Sequence, residues 1–309
     1  MHRNIALYLV VLEKNTIFAK NIIIKGMAQK IAIFNGKGGV GKTTTTLNLG
    51  TALWLLNKRV LLVDCDPQCN LSVTLDKTSF APSMYTLYEW LKEKDYSNEI
   101  PTYERYNGLD YIPASPKMEE INRWLVERPR REDYITNRIK LIESNYDYIL
   151  FDCAPAVESL LNMNVMVCAD AVIIPTRADF YGIQSQGPVS LKLEEVREVF
   201  QKELPVLGYL LTQSEKTRTG KDILGYLRGM EGAHVFRPIR KCNACCGGQP
   251  LQMSLFEFDS ASTAADDYMM LAEEIIGRKV RPKSWIPVEW GRKAKKAYDE
   301  FIKIQEEEA

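Results

Sequence analysis

The residues with the clearest chemistry are Gly36-Lys37-Gly38-Gly39-Val40-Gly41-Lys42-Thr43, a run with the spacing G-x-x-x-x-G-K-[ST]. Such a loop turns backbone amides onto phosphate oxygens, because its glycines place no side chain between amide and ligand. A helix beginning at its end adds positive partial charge. Lys42 is expected to reach the β- and γ-phosphates and the Thr43 hydroxyl to ligate Mg²⁺. Gly36, Lys37, Gly38, Gly39, Val40, Gly41, Lys42, Thr43 and Thr44 are thus the expected nucleotide-binding residues. Two acidic segments accompany them. Asp64 and Asp66 close the apolar run Leu61-Leu62-Val63, and period two sends both carboxylates to one side of a strand end. An Asp in that place can also cap the next helix. Asp152 closes Tyr148-Ile149-Leu150-Phe151. Many strands end in Asp, but downstream of a phosphate loop the residue reads as a holder of Mg²⁺ through water.

These side chains need strands and helices to carry them. Apolar, β-branched runs occur at Ile31–Phe34, Val60–Val63, Leu109–Ile112, Tyr148–Phe151, Ala171–Ile174 and Val206–Leu211. Their near-continuous hydrophobicity predicts strands buried on both faces, as in a parallel sheet. Helical patterns lie between them, at Thr43–Leu56, Gln184–Phe200 and Ala264–Ile276. The alternation predicts an α/β fold: a doubly wound, mostly parallel sheet in three α/β/α layers over residues 27–276. Residues 1–26 are apolar but interrupted by Glu13, Lys14, Lys20 and Lys25, which argues against a signal peptide. They are expected to be an extension upstream of a start at Met27. Residues 277–309 are expected to be a basic-then-acidic helical tail.

With the glycines, the second lysine Lys37, the segment Asp64-Cys65-Asp66-Pro67-Gln68-Cys69-Asn70 and the Asp152 strand in hand, the sequence resembles the deviant Walker-A ATPases. That superfamily includes ParA/Soj partition proteins, MinD and the nitrogenase iron protein. Ala169–Thr176, Leu207–Thr212 and Thr217-Arg218-Thr219 extend the similarity and bring it nearest the ParA/Soj branch. The resemblance implies that Lys37 crosses to the nucleotide of a partner copy, in the manner of an arginine finger supplied in trans. It implies that Asp66 orients the attacking water, so Lys37, Lys42 and Asp66 are the expected catalytic residues. Cys69 replaces the family's glycine, and Ala154 stands where a first proline is usual. Further implications are a slow ATPase with ATP and Mg²⁺, an ATP-dependent homodimer, binding to non-specific DNA and stimulation by a ParB-like protein. The setting would be the cytoplasm and nucleoid, and the task the positioning of a plasmid, chromosome or other cargo. Arg218 and Arg240 match basic positions that contact DNA phosphates in that branch, and either could equally be a solvated surface arginine.

Composition limits the alternatives. The 309 residues carry 40 Lys+Arg against 40 Asp+Glu, so DNA binding has to come from a local patch. Seven cysteines, an odd number, argue against a secreted disulfide scaffold. Cys242-Asn243-Ala244-Cys245-Cys246 holds a C-x-x-C spacing, half of a tetrahedral metal or cluster site that a symmetric dimer could complete. The competing reading is free thiols, buried or redox-responsive. An iron–sulfur carrier and a MinD-like membrane-positioning ATPase are therefore the alternative functions. The tail's basic residues, Arg278 to Lys296, are followed by Glu306-Glu307-Glu308, which anionic lipid would repel; this favours a docked or DNA-facing segment over a membrane anchor.

Overall fold

Residues apolar at every position, odd and even alike, can be satisfied only between two helical layers. In the computed structural model, which describes residues 27–76, 84–93, 100–179, 186–230 and 233–283, that is where they lie. The strands are β1 (Gln29–Ile33), β2 (Val60–Asp64), β3 (Tyr103–Tyr106), β4 (Leu109–Ile112), β5 (Tyr148–Asp152), β6 (Ala171–Arg177) and β7 (Val206–Thr212). The helices are α1 (Lys42–Leu55), α2 (Asn70–Leu75), α3 (Leu87–Lys92), α4 (Met118–Val126), α5 (Tyr134–Ile139), α6 (Leu160–Cys168) and α7 (Gln186–Phe200). After β7 come α8 (Arg218–Gly229), α9 (Ala244–Gly247), α10 (Leu255–Asp259) and α11 (Thr263–Ile276).

The described strands form one sheet in the order β3-β4-β2-β5-β1-β6-β7. Every pairing is parallel except β3 with β4. The six expected strands are all present; β3 is an addition at the edge. Its connection to β4 is Asn107-Gly108, with Gly108 at φ +87°, a turn dipeptide that marks hairpins.

Alternate residues serve opposite cores. Ala32, Leu61, Val63, Ile149 and Phe151 face the layer of α3 to α8, while Ile31, Ile33, Val60, Leu62 and Leu150 face α1, α10 and α11. Helix α1 is buried along nearly its whole length, as a helix covered on all sides must be. Helix α11 lays Ala264, Ala265, Tyr268, Leu271 and Ala272 toward that core and ends at Gly277, whose φ of +77° closes it with a left-handed cap. The chain then runs back along α1: Lys283 N–H donates to Leu55 O at 2.9 Å, and its ammonium sits 3.7 Å over the Trp54 ring. The expected N-terminal extension, and the tail from residue 284 onward, lie outside the described residues.

Candidate functional site

Six parallel strands, β1, β2, β4, β5, β6 and β7, deliver their carboxyl ends to one end of the sheet. Past β1 the chain turns first toward β2 and β4 and later returns to β6 and β7, so the sheet order reverses at β1. Open α/β sheets bind ligands at that place. The phosphate loop leaves β1 there and enters α1 at Gly41, whose φ is +86°. A side chain at Gly36 would overlap the Val157 methyl, so glycine here lets the loop lie close against the segment after β5 without displacing it. Around Gly38 and Gly39 an added Cβ would meet nothing within 4 Å, so the tip of the loop is open to solvent.

Neighbouring strand ends fix the loop. Asn35, fully buried, donates through Nδ2 to Pro175 O at 2.8 Å and accepts from Lys37 N–H at 3.0 Å. The Thr212 hydroxyl donates to Val40 O at 2.8 Å. Lys42 Nζ donates to Lys37 O at 2.9 Å across the loop. Thr44 stands with Thr43 beside Asn48, Cys245 and Met253 in a small cavity. Asn35 was no candidate on sequence, and Thr212 was only part of a strand pattern. Each closes or follows a parallel strand at its carboxyl end, and that position is the signal that marks them.

The acids come from the adjacent strands. Asp64 and Asp152 stand in register on β2 and β5, both buried. Asp64 Oδ1 accepts from Asp66 N–H at 3.0 Å, and Oδ2 accepts from Ser72 N–H at 2.9 Å and from its hydroxyl at 2.6 Å. Burial pushes Asp64 up to about 6 against the pull of those hydrogen bonds. Asp64 therefore braces the turn that presents Asp66. Asp66 Oδ1 in turn accepts from Gln68 N–H at 3.0 Å. Burial, followed by the charge of Asp64, raises Asp152 well above the ordinary carboxylate range, while Thr43 and Lys42 act against the rise. Burial lowers Lys42, and Asp152 is the foremost of the groups that oppose it.

Lys42 feels the charge of Asp152 and, more weakly, of Asp66, while Asp64 lies beside Asp152, so acidic groups outnumber the ammonium at this end of the sheet, a balance that a bound dication would restore. Asp152 Oδ2 is buried without a hydrogen-bond partner among the described residues. An oxygen left over beside Thr43 is what a site for Mg²⁺ requires, so the expected pair Thr43 and Asp152 fits the ion.

The other expected residues are more dispersed. Lys37 Nζ lies 3.4 Å from Asp179 Oδ1, just beyond β6. Arg218 opens α8 with its side chain 97% exposed. Arg240 is instead tied to Asp267 of α11, which is fully buried: Nε and Nη2 each reach a different carboxylate oxygen at 2.8 Å. Much of its charge is spent within the fold. Cys242 and Cys245 are half-buried, and among the described residues no three Cys, His, Asp or Glu side chains converge to hold a metal. No described helix is long and apolar enough to cross a membrane.

A family model described as an AAA domain matches residues 28–206. The chromosome partitioning protein ParA of Caulobacter vibrioides is 32% identical over 257 residues, covering 81% of this chain and 94% of that protein. The chain belongs to the ParA/Soj family of P-loop ATPases. The sporulation initiation inhibitor protein Soj of Bacillus subtilis is likewise 32% identical, over 81% of this chain and 98% of its own length. Among solved structures, cobyrinic acid a,c-diamide synthase from Mycobacterium smegmatis with bound ADP and magnesium superposes with a TM-score of 0.68. At 24% identity over 84% of this chain and 100% of the other, that likeness speaks for the fold.

Proposed function

We propose that this ParA/Soj-family chain is a slow ATPase that uses its nucleotide as a switch. With ATP and Mg²⁺ two copies pair face to face, the pair holds DNA without reading its sequence, and hydrolysis, stimulated by a ParB-like partner, lets go. Its setting is the cytoplasm and nucleoid, and its task is to segregate or position a cargo. The observation that carries the reading is the convergence of the glycine loop, Lys42, Asp66 and Asp152 at one end of the sheet.

The reading gives each residue a part. The loop amides and Lys42 hold the phosphates and offset their charge. Thr43 directly and Asp152 through water would hold Mg²⁺, which would supply neutralisation of the phosphate charge. Asp66, braced by Asp64 through its own backbone amide, orients the attacking water. Lys37 serves the nucleotide of the partner copy. Arg218, exposed at a helix start, offers charge to a DNA phosphate.

Phosphate release and binding of a fluorescent ATP analogue test this division of labour. Asp66→Ala should keep nucleotide affinity and lose turnover by about a hundredfold or more, the range for a group that manages a reacting proton or water. Lys42→Ala should weaken binding itself. Unchanged turnover in Asp66→Ala would move the hydrolytic role to another residue.

A further inference from the structure

In the single chain Lys37 already has an anionic partner. Its ammonium lies 3.4 Å from Asp179 Oδ1, and Asp179 Oδ2 lies 3.2 Å from Arg177 Nε. The Lys37 and Asp179 side chains are 31% and 33% exposed, so the pair sits at the open rim of the site. Asn35 presents the two groups to each other by joining the end of β1 to β6: it accepts from Lys37 N–H and donates to Pro175 O. An ammonium held by its own chain cannot at the same moment reach into a second copy.

Resting on the reading that Lys37 serves a partner's nucleotide, we infer that Asp179 is a latch on Lys37 in cis, and that every dimerisation event must open two such latches. The exchange is favourable only against a ligand of higher charge than one carboxylate. A triphosphate meets that condition and an empty site does not. The latch thereby makes pairing conditional on nucleotide. Arg177 shares the carboxylate and dilutes its hold on Lys37, which keeps the latch weak enough to open.

An exposed ion pair is worth roughly two- to fivefold in an equilibrium. Two open per symmetric dimer, so the factor is squared: Asp179→Asn should lower the dimer dissociation constant by about four- to twenty-five-fold. Arg177→Gln, which removes a cation that competes with Lys37 for the carboxylate, should raise it. Sedimentation velocity of the full chain with AMPPNP and Mg²⁺, over a concentration series, reads all of these. Asp179→Glu keeps the charge and should behave as the unmodified chain does. An Asp179→Asn protein that dimerises at the unmodified concentration, or only above it, overturns the latch. Lys37→Ala separates the two levels. Failure to dimerise supports the trans role on which the latch depends, whereas normal dimers would remove that role whatever Asp179→Asn does.

Discussion

At the scale of single residues, Cys69 replaces a glycine of its family while holding a backbone conformation that suits glycine. It precedes α2 with φ +55°, the left-handed region that glycine enters freely. A residue with a β-carbon pays about 1–2 kcal/mol there. The thiol is nearly buried, with Sγ 3.3 Å from Pro67 O, and burial pushes it up to about 12, so at neutral pH it is an uncharged packing group. Cys69→Ala should lose the thiol contact and keep the strain, while Cys69→Gly sheds the strain. The glycine variant should therefore be the more stable of the two by about 1 kcal/mol in urea unfolding. Equal stabilities would show that the Asp66 turn bears no strain at this position. The glycine loop, Asp66 and Asp152 were legible in the sequence because each is a local pattern of a few residues. The brace from Ser72 to Asp64 and the anchor from Thr212 to Val40 were not, since those partners meet only when strand ends align.

At the scale of elements, β3 shows why one strand escaped a periodicity reading. Tyr103-Glu104-Arg105-Tyr106 is half charged and reads as a loop, yet Arg105 points inward and is buried with Glu257. Its guanidinium donates to Leu75 O at 2.8 Å, to Gln252 O at 2.6 Å and to Glu257 Oε1 at 2.9 Å. The other Glu257 oxygen accepts from Ser254 N–H in the capping box that starts α10. One side chain thus ties the end of α2, the turn at Gln252 and the start of α10 to the sheet edge. No window of local sequence contains that pair, because its members are 152 positions apart. Arg105→Ala would leave the Glu257 carboxylate buried without its cation, which costs about 3–5 kcal/mol. Thermal or urea unfolding measures the loss, and a cost below about 1 kcal/mol would mean that Glu257 finds other compensation.

At the scale of the whole molecule the balance of charge decides how DNA could be held. With 40 basic and 40 acidic residues there is no general attraction, so affinity has to come from groups that keep their charge for solvent. The two arginines singled out by sequence differ in that respect. Arg218 stands exposed at the first position of α8, and its ion-pair partner among the described residues is the exposed Asp222 at 4.0 Å. Arg240 neutralises Asp267, which is fully buried and also lies 3.6 Å from Arg237. Reversing both charges together would confound DNA binding with folding. Arg240→Glu alone should lower the Tm, because it sets a carboxylate against a buried carboxylate. Arg218→Glu should leave the Tm and ATP-driven dimerisation unchanged and weaken retention of random duplex in the ATP state. A dimer carries two copies of Arg218, and each lost phosphate contact removes about 0.9 from the slope of log affinity against log salt. The slope should therefore flatten by about 2 in Arg218→Glu, measured by fluorescence polarisation from low to physiological salt. An unchanged slope with normal dimers would place the DNA-facing surface elsewhere on the pair, away from the start of α8.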